Sequence, residues 1–267
     1  MSVAGLVRLA IRVRAADAEL ALARLLPVLS GGAEERAVGE TVEYALYGAP
    51  DELPDEAALR ALAGEAVLTV ERAPVAGGWE TAWHAHLGRV AAGGFAIRPP
   101  WVVGPGDDVV IEPGMTFGAA GHPTTRLCLE LLRGQTPSTG GAGDWGCGSG
   151  VLGICAARAG FEPVLAVDAD PAAVALTREN ARANGVAVDA RELDVTRAPP
   201  PWAPLVLANL TLPLLRAAAA HGGRRPDRLI ASGVLADQAD AVAPAFGMAE
   251  RERRHDDGWA ALLLEAV

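Results

Sequence analysis

Apolar runs of strand length alternate with helix-length segments from about residue 95 onward, which predicts an α/β chain built on a Rossmann-like, doubly wound parallel sheet. A glycine-rich loop leads from one of these strands into a helix, and an acid closes the next strand about twenty residues on. The first part of the chain reads instead as strand–helix–strand–strand–helix–strand, the order of a small ferredoxin-like α+β sandwich.

In that sandwich, placed at 1–72, Val7, Leu9, Ile11 and Val13 alternate with Arg8, Ala10, Arg12 and Arg14, the period of a half-buried strand. Asp17 stands where it can cap an amphipathic helix carrying Leu20, Leu22, Leu25 and Leu26, ended by Pro27 and Ser30-Gly31-Gly32. Strands at 34–38 and 41–47, a helix at 55–63 and a strand at 67–70 follow. With no catalytic constellation, this part is read as a substrate-recognition element. Residues 73–94 are read as a linker with a short helix opening at Trp79-Glu80-Thr81-Ala82-Trp83. His84 and His86, two apart on a helix, point to different faces, so no metal site is expected.

The third segment, 95–267, carries strands at 95–101 and 109–111 and a helix at 126–132 that Thr124-Thr125 can cap. A strand ends at Asp144, a helix starts at Val151, and the run 164–167 is closed by Asp168. Asp170-Pro171 opens a helix through Arg182, and Asn184-Gly185 stops it. Strands are read within 186–193, at 205–208 ending at Asn209, at 229–232 and at 259–264, with a helix from about Ala236.

The net charge is −10 over 267 residues, and the 23 basic residues are all arginine, a pattern assigned to GC-rich coding. Such a charge does not fit direct nucleic-acid binding, although it can steer a lysine-rich protein substrate. Cys128, Cys147 and Cys155 lack metal or disulfide spacing, which suits a reducing cytosol. No apolar run reaches the ~18 residues that a membrane span needs. A cytoplasmic, monomeric protein is expected.

The chemistry centres on Asp144-Trp145-Gly146-Cys147-Gly148-Ser149-Gly150. Glycines at alternate positions let the backbone turn tightly and approach a ligand, and the following helix offers free N–H groups. Asp168, at the end of the next strand, can take both hydroxyls of a ribose. These features describe a nucleoside-cofactor site, for which two cofactors compete. Gly148-Ser149-Gly150-Val151-Leu152-Gly153 satisfies the dinucleotide fingerprint. S-adenosylmethionine is favoured by Asp144, whose carboxylate suits a cationic ammonium group and repels a pyrophosphate. Cys147 is read as a small turn filler rather than a nucleophile.

The glycine-rich loop 112–125, with Met115, Phe117, His122, Thr124 and Thr125, is too informative for a linker. His122 is read as ordering this loop by hydrogen bonds rather than as a general base. Asp194 has two open readings, a contact to an adenine amino group or an exposed loop acid.

With these pieces placed, the chain resembles the PrmA family, bacterial methyltransferases that trimethylate large-subunit ribosomal protein eleven. WETAW at 79–83 is similar to the family's WExxW, and EPGMTFGAAGHPTTRLCL at 112–129 to its PGxxFGTGxHxTTxLCL loop. DWGCGSGVL at 144–152 resembles DxGCGSGIL, and NARANGV at 180–186 resembles NAxxNGV. ANL at 208–210 and SGVLADQ at 232–238 match too. The departures are Ala119-Ala120 in place of Thr-Gly, one residue fewer after Asn209, and a glycine-rich stretch, 139–143, before Asp144.

The resemblance implies a class I methyltransferase domain joined to a ferredoxin-like recognition domain, with S-adenosylmethionine as cofactor and a ribosomal protein as substrate. Carried over by position, the cofactor contacts are Thr125, Gly146, Asp168 and Asn209. They join Asp144, Gly148 and Gly150 from the loop itself. Methyl transfer needs a neutral amine held in line with the methyl carbon. Asn209 is the candidate catalytic residue, its carboxamide oxygen accepting the amine N–H groups. Two other readings stay open: a small-molecule methyltransferase, and a degenerate cofactor- or ribosomal-protein-binding module without activity.

Overall fold

The computed structural model describes residues 7–25, 28, 34–48, 50, 53–74, 87–113, 121–137 and 139–267. The chain forms two compact units, Met1–Ala85 and His86–Val267. The expected helix at 79–83, His84 and His86, and Ala119-Ala120 lie outside the described residues.

The first unit contains β1 (Val7–Arg14), α1 (Ala18–Leu25), β2 (Glu34–Val38), β3 (Thr41–Gly48), α2 (Glu56–Ala63) and β4 (Val67–Pro74). Its antiparallel sheet has the order β2-β3-β1-β4, that of a ferredoxin-like sandwich. The alternation along β1 has its physical counterpart: Leu9, Ile11 and Val13 are fully buried among Leu25, Tyr44, Leu59 and Val67. On the other face Glu43 is gripped by Arg8 at 2.5 Å and Arg12 at 2.8 Å, and the Arg8 hydrogen bond chiefly holds its carboxyl below the usual range. Asp55 caps α2 through Ala58 N–H, 2.7 Å. Asp17 stands immediately before α1. It closes a 3-10 turn, Ala15–Asp17, and its carboxylate takes Arg14 Nε at 2.6 Å.

The second unit begins earlier than the sequence indicates. β5 (Val90–Ala92) lies in the stretch read as linker and pairs with β6 (Phe95–Arg98). Gly93 and Gly94, at φ +57° and +86°, form the two-residue turn with both residues left-handed that suits a hairpin. β6 stops before Pro99-Pro100, which cannot continue a ladder. β7 (Val109–Val110) completes this small sheet in parallel with β6.

α3 (Pro123–Arg133), β8 (Ala142–Trp145), α4 (Val151–Arg158), β9 (Val164–Asp168), α5 (Pro171–Ala183), β10 (Asp189–Glu192) and β11 (Leu205–Asn209) come next. After them run α6 (Leu212–Ala220), β12 (Arg228–Leu235), α7 (Val242–Phe246), β13 (Ala249–Asp256) and β14 (Trp259–Glu265). The seven-stranded sheet runs β10-β9-β8-β11-β12-β14-β13. Five strands are parallel, while β14 and β13 are antiparallel additions at one edge. β11 shows why central strands read as unbroken apolar runs. Leu205 and Leu207 enter the layer with Leu129 and Ile154, and Val206 and Ala208 enter the opposite layer with Leu215 and Phe246.

Three elements differ from expectation for identifiable reasons. β13 has the charged sequence AERERRHD, tolerable only on an exposed edge, and its turn to β14 is the Asp257-Gly258 hairpin at φ +48° and +77°. The helix expected from Ala236 is preceded by a turn in which Gln238 Oε1 accepts Leu235 N–H at 3.2 Å, so α7 starts only at Val242. α6 is an additional helix after Asn209, with Pro213 in its first turn.

The glycine-rich approach to Asp144 is a packing requirement. At Gly141, φ +72°, a Cβ would stand 1.7 Å from the Pro163 carbonyl oxygen, which receives Ala142 N–H. At Gly143 a Cβ would be 3.3 Å from Val206 Cγ2. Gly141→Ala is therefore expected to lower unfolding stability by roughly 3–5 kcal/mol, combining left-handed strain with displaced backbone. Urea denaturation of the variant checks this, and a loss below about 1 kcal/mol contradicts it.

Candidate functional site

Strand register assembles the site. Trp145 pairs with Val167 on one side and Ala208 on the other, and Asn209 pairs with Ser232. The next residues up, Gly146, Asp168 and Asn209, therefore sit side by side at the carboxyl ends of β8, β9 and β11, where ligands bind in open α/β sheets.

From Gly146 the chain turns through left-handed conformations at Gly146 (φ +73°), Gly148 (+53°) and Gly150 (+82°) before entering α4. A Cβ at Gly146 would meet Leu210 Cδ2 at 2.3 Å, and one at Gly150 would meet Thr177 Cγ2 at 2.8 Å. Asp168 anchors the loop: Oδ2 accepts Gly148 N–H at 2.9 Å, and Oδ1 accepts Asp170 N–H at 3.0 Å. A carboxylate has about four acceptor positions, so capacity remains for ligand hydroxyls.

α5 holds the loop from behind. Thr177 Oγ1 donates to Gly148 O at 3.0 Å or to Cys147 Sγ at 3.3 Å. Asn180, 3% exposed, donates to Ser149 O at 2.8 Å and Glu112 O at 2.9 Å and accepts Glu112 N–H at 2.9 Å. One turn on, Asn184 accepts Val110 N–H at 2.8 Å and donates to Val110 O at 2.6 Å. Cys147 fits the turn-filler reading, since burial pushes its thiol up to about 12.

Asp144 is 1% exposed, and its Oδ2 accepts Gly153 N–H at 2.8 Å. That N–H belongs to the first turn of α4, where no intrahelical acceptor exists and an anion is favoured. Asp144 thus supports the loop from beneath and does not line its open side. Burial raises its carboxyl to about 7, with Asp168 adding to the rise and the Gly153 hydrogen bond opposing it.

On the other flank, α3 is capped not by Thr124-Thr125 but by His122, because Pro123 occupies the first helical position. His122 Nδ1 contacts Thr124 Oγ1 at 2.7 Å and receives Thr124 N–H at 3.4 Å. Its ring packs edge-on against Trp259 with centroids 5.2 Å apart, and burial followed by the nearby Arg126 charge lowers its pKa. Arg126 itself pairs with Asp256. Asn209 Nδ2 donates to Thr124 Oγ1 at 3.1 Å and approaches Thr125 Oγ1 at 3.5 Å.

The structure thus brings Thr125, Gly146, Gly148, Gly150, Asp168 and Asn209 together around one strand end. Gly146, Gly148, Asp168 and Asn209 are partly exposed, whereas Gly150, Asp144 and Thr125 are buried behind them. Asp194 is engaged by its own loop: Oδ1 accepts Thr196 N–H at 2.8 Å and its hydroxyl at 2.7 Å, and Oδ2 pairs with Arg197 at 3.3 Å. Sequence reasoning missed the supporting roles of Thr177, Asn180 and Asn184, although an asparagine in the interior of the helix, at 180, was a visible anomaly. Among the described residues no cluster of His, Cys, Asp or Glu fits a metal ion, and no helix is long and apolar enough to cross a membrane.

The profile of a family described as ribosomal protein L11 methyltransferase (PrmA) matches residues 57–266. The ribosomal protein L11 methyltransferase of Marinobacter nauticus is 39% identical over 190 residues, covering 67% of this chain and 64% of that protein. That of Geobacter metallireducens is 37% identical over 203 residues, covering 70% of this chain and 66% of that protein. The matches thus span just under two thirds of these relatives' lengths. A crystal structure of ribosomal protein L11 methylase from Lactobacillus delbrueckii subsp. bulgaricus superposes with a TM-score of 0.56 at 22% identity, covering 64% of this chain and 93% of that one. At that identity the likeness is one of fold. Together with the order of β8–β14 in the sheet, it bears out a class I methyltransferase fold.

Asp144 gives this site a measurable signature. A carboxyl titrating near 7 in the folded chain and near 3.8 when unfolded takes up a proton on folding across that window, so this contribution to stability falls as pH rises from about 4 to 7 and stays low above. Asp144→Asn keeps an acceptor for Gly153 and removes the buried charge. The variant should be more stable than the parent at pH 8 by roughly 2–4 kcal/mol, and nearly equal to it at pH 4. Denaturation at both pH values decides, and an equal difference at the two contradicts the assignment.

Proposed function

The chain belongs to the ribosomal protein L11 methyltransferase (PrmA) family, and we propose that it transfers methyl groups from S-adenosylmethionine to lysine or α-amino groups of a large-subunit ribosomal protein. The observation that carries this reading is the placing of a glycine loop, a partly free carboxylate and a neutral carboxamide at one level of the sheet.

The site fits a cationic nucleoside better than a dinucleotide. The Asp168 carboxylate borders the glycine loop and the buried Asp144 carboxyl lies behind it, an arrangement unfavourable to a pyrophosphate and favourable to sulfonium and ammonium groups. Bound there, S-adenosylmethionine supplies an electrophilic methyl carbon. Asp168 takes the ribose hydroxyls, and Gly146 and Gly148 let the backbone approach without side chains. Asp144, Gly150 and Thr125 act from behind, Asp144 through its field and its hold on α4.

Asn209 meets the incoming amine. Its amide nitrogen faces the two threonines, so Oδ1 is the atom left to accept the amine N–H and aim its lone pair. An aspartate here would stabilise the unreactive ammonium; the amide does so less. Solvent takes the amine's proton before attack, and the first unit recognises the protein substrate.

Incubation with labelled S-adenosylmethionine and an unmethylated ribosomal-protein extract should label one small basic protein, and absence of any labelled protein contradicts the function. Asn209→Ala should reduce single-turnover rate about a hundredfold, some 2.7 kcal/mol of transition-state stabilisation. Cofactor affinity should change far less, and equal losses of both would leave Asn209 a cofactor ligand only. Asp168→Ala should weaken cofactor binding by roughly 1.5–3 kcal/mol in calorimetry. Unchanged affinity, or tight NADH binding by the parent, overturns the cofactor assignment.

A further inference from the structure

Asn209 can serve an amine only if its carboxamide is held one way round. The selection comes from three hydrogen bonds in series. His122 Nδ1 caps α3 at 3.4 Å from the Thr124 backbone N–H, and the series is built on the neutral tautomer in which Nε2 carries the proton and Nδ1 accepts. The Thr124 hydroxyl lies 2.7 Å from the same nitrogen and has one proton to give. Once that proton points at the imidazole, Thr124 Oγ1 presents only lone pairs to its other neighbour. That neighbour is Asn209, 3.1 Å away, and it must then turn its NH₂ group toward Thr124. The opposite orientation would set a carbonyl oxygen against an oxygen with no proton to share.

Burial gives this series its force. Thr124 is 1% exposed and Thr125 is fully buried, so water does not replace a mismatched partner there. Burial and the adjacent Arg126 charge keep the imidazole neutral, as an acceptor Nδ1 requires. Pro123 at the first helical position makes His122 the cap of α3, which fixes the ring relative to the threonines. The cap of one helix therefore reaches the end of a strand from a different part of the chain, 85 residues on.

We propose that Thr124 is a positioning residue, which takes its polarity from His122 Nδ1 and holds the Asn209 carboxamide with Oδ1 directed at the incoming amine. The inference rests on the proposed amine-methylating function and names the group that makes Asn209 competent. Thr124 touches neither amine nor cofactor in this arrangement and acts only through Asn209.

The test uses the full chain with Thr124→Val, Thr124→Ser, Asn209→Ala and the Thr124→Val/Asn209→Ala double variant. Valine keeps the branched shape and lacks the hydroxyl; serine restores the hydroxyl. Thr124→Val should lower the single-turnover methylation rate by about tenfold or more, with calorimetric S-adenosylmethionine affinity within about threefold of the parent. Thr124→Ser should recover the rate to within about threefold, and in the Asn209→Ala background Thr124→Val should cost less than about twofold more. Additive losses, a serine variant as slow as valine, or affinity falling with rate overturn the inference. A second readout needs no turnover. The Asn209 side-chain amide protons, assigned by their absence from the NMR spectrum of Asn209→Ala, should exchange with solvent about tenfold faster in Thr124→Val than in the parent or Thr124→Ser. Equal exchange in all three overturns the positioning role. A parent chain that transfers no methyl group overturns the proposed function instead, and the exchange measurement still decides the orientation.

Discussion

A loop made of glycines has carbonyls to satisfy and no side chains with which to satisfy them, and the second unit is arranged around that constraint. The donors come from one face of α5, at Thr177 and Asn180, three residues apart and so aligned along the helix. Asn180 contributes most. Its two donors and its acceptor are engaged with Ser149 and Glu112, tying the glycine loop to the segment after β7. Asn184 repeats the motif toward Val110, so two carboxamides act as a short artificial strand edge along residues 110–112. Inside a low-dielectric core such a network is worthwhile only when complete. The choice of asparagine, a poor helix former, is the cost of completing it.

The same loop explains a local conflict between folding and function. Asp144 satisfies an N–H at the start of α4, which favours its negative charge, yet almost complete burial disfavours that charge, and burial is the stronger effect. An amide could do the capping without the penalty. Retaining a carboxylate beneath a nucleoside-type loop makes physical sense if the ligand is cationic, because the ligand then offsets part of the desolvation cost. Stability is spent where binding needs the field.

The architecture was legible where periodicity is strong: β1, α2, α5 and β11 were all evident from spacing and caps. The site was legible in its backbone, since Gly146, Gly148, Asp168 and Asn209 occupy strand ends that alternation alone locates. Missed elements failed for particular reasons. β13 hides as a run of charge because an edge strand needs no apolar face. β5 was concealed by its brevity, despite the Gly93-Gly94 turn beside it. The cap of α3 was assigned to threonines by residue preference, whereas Pro123 already marked the first turn and so pointed to His122. Side-chain bonds such as Asn209 to Thr124 join positions far apart in sequence, and no spacing rule reaches them.

The division of charge across the strand ends bears directly on the proposed amine chemistry. A lysine amine, with an unperturbed pKa of about 10.4, attacks only when neutral, and negative potential around it favours the ammonium form. Carboxylates near the nucleophile would therefore improve recognition while suppressing reaction. The chain keeps its two carboxylates on β8 and β9, the side of the glycine loop, and places uncharged Asn209, Thr124 and Thr125 on the side of β11 and α3. His122 extends the neutral side: burial lowers its pKa, and in the tautomer proposed above Nδ1 accepts the threonine hydroxyl. Had that imidazole been an ammonium or a carboxylate, either the polarity of the hydrogen-bond series or the local potential would change. A neutral acceptor with a fixed orientation meets both demands: it binds an amine through N–H groups and adds no charge that would hold the proton in place.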